Sequence, residues 1–569
     1  LVPRLIGQAF ETLASLQALD MPVSGDFTAD LGDDATLRGA SLNALLGAGM
    51  LRPPGVEGSE FLIDEAALGF SYDAAKRVIQ VDKVEMLAGR TRIALKGRID
   101  GPADPLRADA EKANSWRFDL QGQDVLLGSA DVKAPPLRVD HIGIAGSYDI
   151  ASGELRLDQG ELAAGAAMIS LSGHVLPGET SPVVEISGSF LPMSVSTLKA
   201  IWPVFTAPGA RDWVAENIRA GELTQGAFTL HFPDGLLAEM DAGGPIPDEA
   251  LQFEFGFENL VSAYLGPMPL IRGGRGQARI RGDRFTMDID EAHVNLSSGE
   301  RLAITGGRFR VPRMTAPVPD GEITVHIAGG VPQLLKFLDQ EPLGYPGELG
   351  IAPDDFGGRG EVALRVALPL LKNVTLDEVQ IGAEAELNQF SGTDVFAGHD
   401  MADGVLLLSV RDNVLEASGE VLVGSEPAGI KWRFPFEKSD SDPAHFFVTM
   451  TLNDREREQF GLDFPNLTGP VRFRFEPGSS FGHESEGESA TEIVADLTTA
   501  TVSRTPFGWS KPAGVPGDMS FTVSSRPSGG YVLDRFVLDS DGTKVRGRIV
   551  VAEDDAIEAV RFTEFNLRP

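Results

Sequence analysis

The sequence predicts a mainly β protein, built as a long, curled antiparallel β-sheet, elongated and groove-like, with a few short inserted α-helices. Three observations lead there. Apolar and polar residues alternate with period two in segment after segment, as in strands with one dry and one wet face. The 65 glycines and 37 prolines, with only 7% aromatic residues, suit many short strands joined by turns. A helix, a Pro- or Gly-rich break and a run of strands recur along the chain, which marks unequal repeats.

Residues 4–18 have the apolar spacing of an amphipathic helix (Leu5, Ile6, Phe10, Leu13, Leu16), followed by Leu19-Asp20-Met21-Pro22 and a strand from Phe27. Strands then follow to Leu176. Ile93, Leu95 and Ile99 alternate with Arg92, Lys96 and Arg98, and Trp116, Phe118 and Leu120 with Arg117, Asp119 and Gln121.

The central stretch from Met193 to Phe232 organises the rest. Ser194 or Ser196 caps a short helix ended by Trp202-Pro203, because the residue before proline is pushed out of the α region. Ala210 to Ala220 reads as a second helix carrying Trp213, Val214 and Ile218, with Gly221 at its left-handed stop, then a strand to Phe232.

Beyond it, apolar residues again fall on alternate positions. They are Phe253, Phe255 and Phe257; Ile323, Val325 and Ile327; Val362, Leu364 and Val366; Ile430, Trp432 and Phe434; and Val471, Phe473 and Phe475. Helices are predicted at 332–340 and 453–460, the latter with Asn453 as N-cap, Glu456 at N3 and Gly461 as stop. Asp412-Asn413 and Asp541-Gly542 suit hairpin turns, and Gly273-Gly274-Arg275-Gly276 reads as a turn. The repeats divide the chain into 1–190, 191–330, 331–452 and 453–569. With roughly 12–16 residues per strand and turn, the chain holds on the order of 30–40 strands. Leu1 in place of Met, and an end at Pro569 just after a strand pattern, read as a segment of a longer protein lacking its C-terminal end.

Composition excludes several functions. A net charge of −34 argues against nucleic acid and against adsorption on anionic headgroups. Without cysteine there are no disulfides, thiolate chemistry or cysteine zinc sites. No apolar run reaches the length of a membrane span. The eight histidines are scattered without metal-ligand spacing, so no metal site is expected. Asp539-Ser540-Asp541-Gly542 opens like a calcium loop, but Val550 stands where the closing glutamate belongs. Acid pairs such as Asp33-Asp34 and Asp354-Asp355 sit among turn residues. No catalytic constellation emerges, and the expectation is a protein that is not an enzyme.

The apolar stripe remains, with two readings open. It fills β-sandwich cores, each covered by a second sheet, or it lines a trough that stays open to acyl chains.

Trp202-Pro203, then Arg211-x-Trp213-Val214-x-x-Asn217-Ile218-x-x-Gly221 and an alternating strand, resembles the central region of the YhdP-like proteins of the AsmA-like superfamily. Gly360-Glu361-Val362 through Pro369, Val405 to Val410, Pro427 to Trp432, and Leu19-Asp20-x-Pro22-x-x-Gly25 are similar to that family too. The resemblance implies a parent anchored in the inner membrane of a Gram-negative bacterium, with a periplasmic body. It implies a phospholipid carrier bridging inner and outer membranes along an apolar β-groove, with bound phospholipid as cargo and no cofactor. The fifteen alternating apolar residues would then line the groove, with Trp202, Pro203, Trp213, Ile218 and Gly221 as a structural helix motif. The competing expectation is a periplasmic scaffold that assembles envelope proteins through exposed sheet edges.

Overall fold

A computed structural model describes residues 19–567 apart from 35, 52–60, 102–114, 129–135, 203–206, 265, 372–373, 376–377, 397, 437–443, 463, 465, 478–489, 504–507, 527–528 and 554–556. The predicted helix at 4–18, Pro203 and the acidic loop at 478–489 lie outside the described residues.

The chain is 65% strand and 9% helix, and about 30 strands form one antiparallel sheet. Strand follows strand in sequence order. Val23–Leu31 pairs with Leu37–Leu46, which pairs with Glu65–Asp73, and so on to Thr543–Val551 and Ile557–Asn566. Among the described pairings nothing joins the first of these strands to the last. The ladder is therefore an open ribbon with two edges, even though all its strands belong to one sheet. At about 4.8 Å per strand it is roughly 130 Å long.

Local chemistry explains the connections. Asp412 and Asn413 both take positive φ (50° and 60°), as do Asp541 and Gly542 (41° and 83°), the signature of two-residue primed turns whose twist matches the strands they join. Sheet hydrogen bonding continues across residues 190, 330 and 452, so the repeats share one ladder.

The ribbon curls. A single cluster of buried side chains unites Leu387 and Phe390 with Ile493, Phe521 and Leu533, residues many strands apart in the ladder. Curvature crowds the concave face, and glycine relieves it. A Cβ added at Gly419 would stand 2.0 Å from the carbonyl oxygen of Val405.

The helices are short. Val195–Ile201 is capped by Ser194, whose hydroxyl accepts from the Thr197 N–H at 3.1 Å. The second central helix spans Pro208–Asn217, earlier than predicted, and the chain is already in the strand Ile218–Phe232 at Gly221. Gly221 is thus no helix stop. It takes φ 140° within a run of register shifts, where a Cβ would meet Leu260 Cα at 3.0 Å. Likewise Gly273 to Gly276 form no turn. They lie inside the strand Ile271–Arg281, where two register shifts absorb the extra residues. Val331–Leu338 and Asp454–Gln459 form near their predicted places, the latter with the full Asn453/Glu456 capping box and Gly461 at φ 66°. Short helices at Leu236–Asp241 and Tyr345–Glu348 carry no sequence signal strong enough to predict.

Candidate functional site: the concave face of the sheet

Because side chains alternate across a strand, register decides which residues share a face. Phe27 stands opposite Leu42, Leu42 opposite Phe70, Phe70 opposite Val81 and Val81 opposite Gly97. Gly97 faces Leu120, then Ile144, Gly160, Leu171, Gly188, Phe228 and Phe253 follow in one unbroken row.

The row continues through the predicted positions. Phe255 leads through Ala278, Met287 and Phe309 to Ile323 and Val366. Phe257 leads through Gly276, Ile289 and Gly307 to Val325, and Val325 faces Leu364. Ile327 leads through Val362, Ala385, Leu408 and Ala417 to Trp432, two residues from Phe434 on the same face. Ile430 leads through Val448 to Phe475, with Phe473 and Val471 beside it. All fifteen predicted residues therefore share one face. The alternation alone could not show this, since a one-residue slip anywhere would have moved a group to the other side.

The opposite face is polar and laced with cross-strand ion pairs, including Arg281–Glu254 at 2.9 Å, Arg308–Asp288 at 2.6 Å and Arg411–Glu384 at 2.8 Å.

Cover over the apolar face varies along its length. Among the described residues the only other sheets are a three-stranded one built from 19–20, 49–51 and 61–63, and a two-stranded one from 467–468 and 501–502. No second large sheet lies on the ribbon. From Phe70 to Leu171 the inward residues of the row are mostly half-buried, although Val81 is buried. Phe253, Phe255, Ile323, Val325, Ile327, Val362, Leu364, Val366, Trp432 and Phe434 are also half-buried. Phe257, Ile430, Val471, Phe473 and Phe475 are buried, Phe473 completely (0% exposed).

Helices and one loop make the difference. Leu198, Ile201 and Val214 of the helices and Phe253, Phe255 and Leu260 of the sheet all pack against one buried cluster that includes Phe190, Val195 and Leu223. Trp213, 38% exposed, stacks on Phe309 with ring centroids 6.4 Å apart, so Pro208–Asn217 lies over the concave side. The Lys199 ammonium clamps the two central helices together, donating to the carbonyls of Ala215 (3.2 Å) and Ile218 (2.5 Å). Burial, then the nearby Arg219 charge, pushes its pKa down. Trp202 is the C-cap of the first helix, and its carbonyl accepts from Arg211 Nε at 3.3 Å. Ile218 is buried at the head of the following strand. Trp202, Trp213 and Ile218 thus lie in or beside the helices over the trough, whereas Gly221 belongs to the strand that follows.

Further along, Leu334 and Phe337 rest on the apolar cluster of Leu302 and Ile304 together with Val325 and Ile327. At the C-terminal end Phe460, Leu462, Phe464 and Leu467 seal the face. This plug is fastened by buried Arg457, which donates to the carbonyls of Leu452 (3.3 Å), Gly469 (2.6 Å) and Leu467 (2.7 Å) and pairs with Asp454 at 2.5 Å. Sequence reasoning missed Arg457, because a charged residue on a short helix reads as solvated. It also left the N-terminal part of the row out of the site, though the alternation of Trp116, Phe118 and Leu120 carried the same signal.

Among the described residues, no group of three or more His, Asp or Glu side chains is arranged to hold a metal ion. None of their helices is long and apolar enough to cross a membrane. Comparison of the chain with protein-family models, with curated proteins and with solved structures gives no match.

Proposed function

We propose that the protein carries phospholipids along the concave face of its sheet. In this reading it is the periplasmic part of an inner-membrane-anchored, YhdP-like protein of the AsmA-like superfamily, working between inner and outer membranes. The observation that carries the reading is the apolar row from Phe27 to Phe475, over which no second large sheet packs among the described residues.

Magnitudes support a lipid occupant. Leaving out the C-terminal end sealed by the plug, a strip roughly 90 Å by 10 Å presents several hundred Å² of apolar surface, at or above the few hundred Å² that soluble monomers normally expose. A two-chain lipid with about 30 methylenes meets a cost of roughly 25 kcal/mol in open water. Sliding within the trough keeps the tails dry at every step, while the headgroup stays at the wet rim. Chemistry on the lipid is not required, and the role proposed is that of a carrier rather than an enzyme.

A photo-crosslinking side chain placed at Leu120 or Leu364 should give adducts with phospholipid, whereas one at outward Arg365 should not. Adducts to protein alone at both inward positions would refute the conduit.

A second reading rests on a different observation. All nine residues of Val23–Leu31 are exposed, with Phe27 at 68%, and its outer edge is unpaired among the described strands. That edge suits a scaffold that captures client strands. Clients crosslinking at Phe27, with no lipid at Leu364, would favour it.

A further inference from the structure

One rim of the trough gathers positive charge in a chain of net charge −34. Arg272 stands directly opposite His293 in the ladder. Arg301 pairs with Asn295, two residues from His293 on the same face, so it is His293's diagonal neighbour. Two residues beyond the Ala303–Ala328 pair, Arg301 comes level with Gly330, whose own partner is Arg359. The inward residues beside these, Ile271, Val294 and Leu302, belong to or pack on an apolar cluster of the trough. By alternation the cations therefore project from the outward face of these strand ends, beside the rim where the headgroup of a lipid lying within would emerge.

The three arginines are exposed and His293 is half-buried. Among the described residues none of the four has a carboxylate partner; the two acids nearest His293 and Arg301 are engaged elsewhere, and Glu361 stands two residues from Arg359 on the same face. Glu291 pairs with Arg275 at 3.8 Å, and Glu300 with Lys336 at 3.2 Å. Burial, then the charges of Arg301 and Arg272, push the His293 pKa down. The cluster thus holds mutually repelling cations that an anion would reconcile.

We propose that Arg272, His293 and Arg301, continued by Arg359, form an anion-binding ridge for a phosphate-ester group along the trough rim. Guanidinium groups grip phosphate oxygens bidentately, and a protonated imidazole between them adds a donor. That the phosphate belongs to a lipid headgroup rests on the conduit reading; the ridge itself does not.

The test is histidine NMR on the whole protein, with the His293 signal assigned from His293→Asn. Adding inorganic phosphate, or short-chain dihexanoyl phosphatidylglycerol, should raise the His293 titration midpoint by about 0.5–1 pH unit, because a bound anion favours the imidazolium. Chloride at equal ionic strength should not, and Arg272→Gln/Arg301→Gln should abolish the rise. A midpoint that ignores both phosphates, or shifts equally in the double variant, overturns the ridge. A second arm compares anionic with zwitterionic phospholipid crosslinked at Leu364. A several-fold fall in the anionic share in the double variant assigns the ridge to headgroups of trough lipid. An unchanged share, with the NMR response intact, assigns it to free phosphate. A trough with no lipid at all sinks the conduit and leaves His293 reporting on the ridge.

Discussion

The ring of Phe396, at the end of the strand Gln380–Phe396, lies 5.4 Å from the ring of Phe475 in an edge-on contact. Between their strands the ladder places 399–411, 414–423, 426–435 and 445–452. Five spacings in a flat sheet would be about 24 Å. The contact therefore measures how tightly the ribbon rolls at its C-terminal end, where the concave walls meet.

Phe396→Ala should destabilise this end by about 3–5 kcal/mol, as for a large buried aromatic replaced by a small side chain. A double-mutant cycle with Phe475→Ala should show a coupling of roughly 0.5–1.5 kcal/mol. Denaturant unfolding checks both, and strict additivity would mean that the rings do not support one another.

Arg457→Leu should cost about 3 kcal/mol or more, since it orphans the carbonyls of Leu467 and Gly469 and removes the ion-pair partner of Asp454, which keeps only the Gly469 N–H. Asn453→Ala, which removes only the cap, should cost about 1 kcal/mol. Hydrogen exchange at the Leu467 and Gly469 amides should accelerate far more in the first variant than in the second.

Trp213→Ala should remove the stack on Phe309 and loosen the helix Pro208–Asn217 over the trough. The half-exposed ring limits the loss to about 1–2 kcal/mol. Lipid adducts at Phe309 should rise, because the Trp213 ring lies against that residue, while those at distant Leu120 should not change.

Asp234 gives a pH dependence. Its carboxylate accepts from the backbone N–H groups of Glu179 (3.0 Å), Thr180 (2.9 Å) and Ser181 (2.9 Å), and these bonds, that of Ser181 foremost, hold its pKa below the ordinary aspartate value. A depressed native pKa means that the stabilisation is complete above the unfolded-state value of about 3.9 and is lost as pH falls through the native one. Hydrogen exchange at Thr180 and Ser181 should therefore accelerate on acidification below about pH 4, and Asp234→Ala should show the fast exchange already at neutral pH.

Much of this architecture was legible because a one-sided strand writes its face into every second residue. That Phe253/Phe255/Phe257 and Val471/Phe473/Phe475 each lie on one side of their own strand could be read without any coordinates. Their cover could not. Phe255 and Phe473 have the same pattern, yet one is half-buried and the other is sealed by a loop whose apolar residues Phe460 and Phe464 are close in sequence to the strand they cover. Gly221 misled because glycine suits a helix stop and a strand bulge equally, and only the register shifts around Leu260 distinguish them. The basic ridge was invisible for a related reason. Arg272, His293, Arg301 and Arg359 are far apart in the chain and become neighbours only when hairpins bring strand ends together.

A ladder in which each strand holds hands only with its predecessor and successor has an adjustable span. Removing one hairpin, such as His399–Val423, would take out two strands and bring the same faces back into register, shortening the ribbon by about 10 Å. Inserting one would lengthen it by the same step. On the carrier reading proposed above, such a protein could be cut to the width of the gap it bridges, as a ruler is cut, one pair of strands at a time.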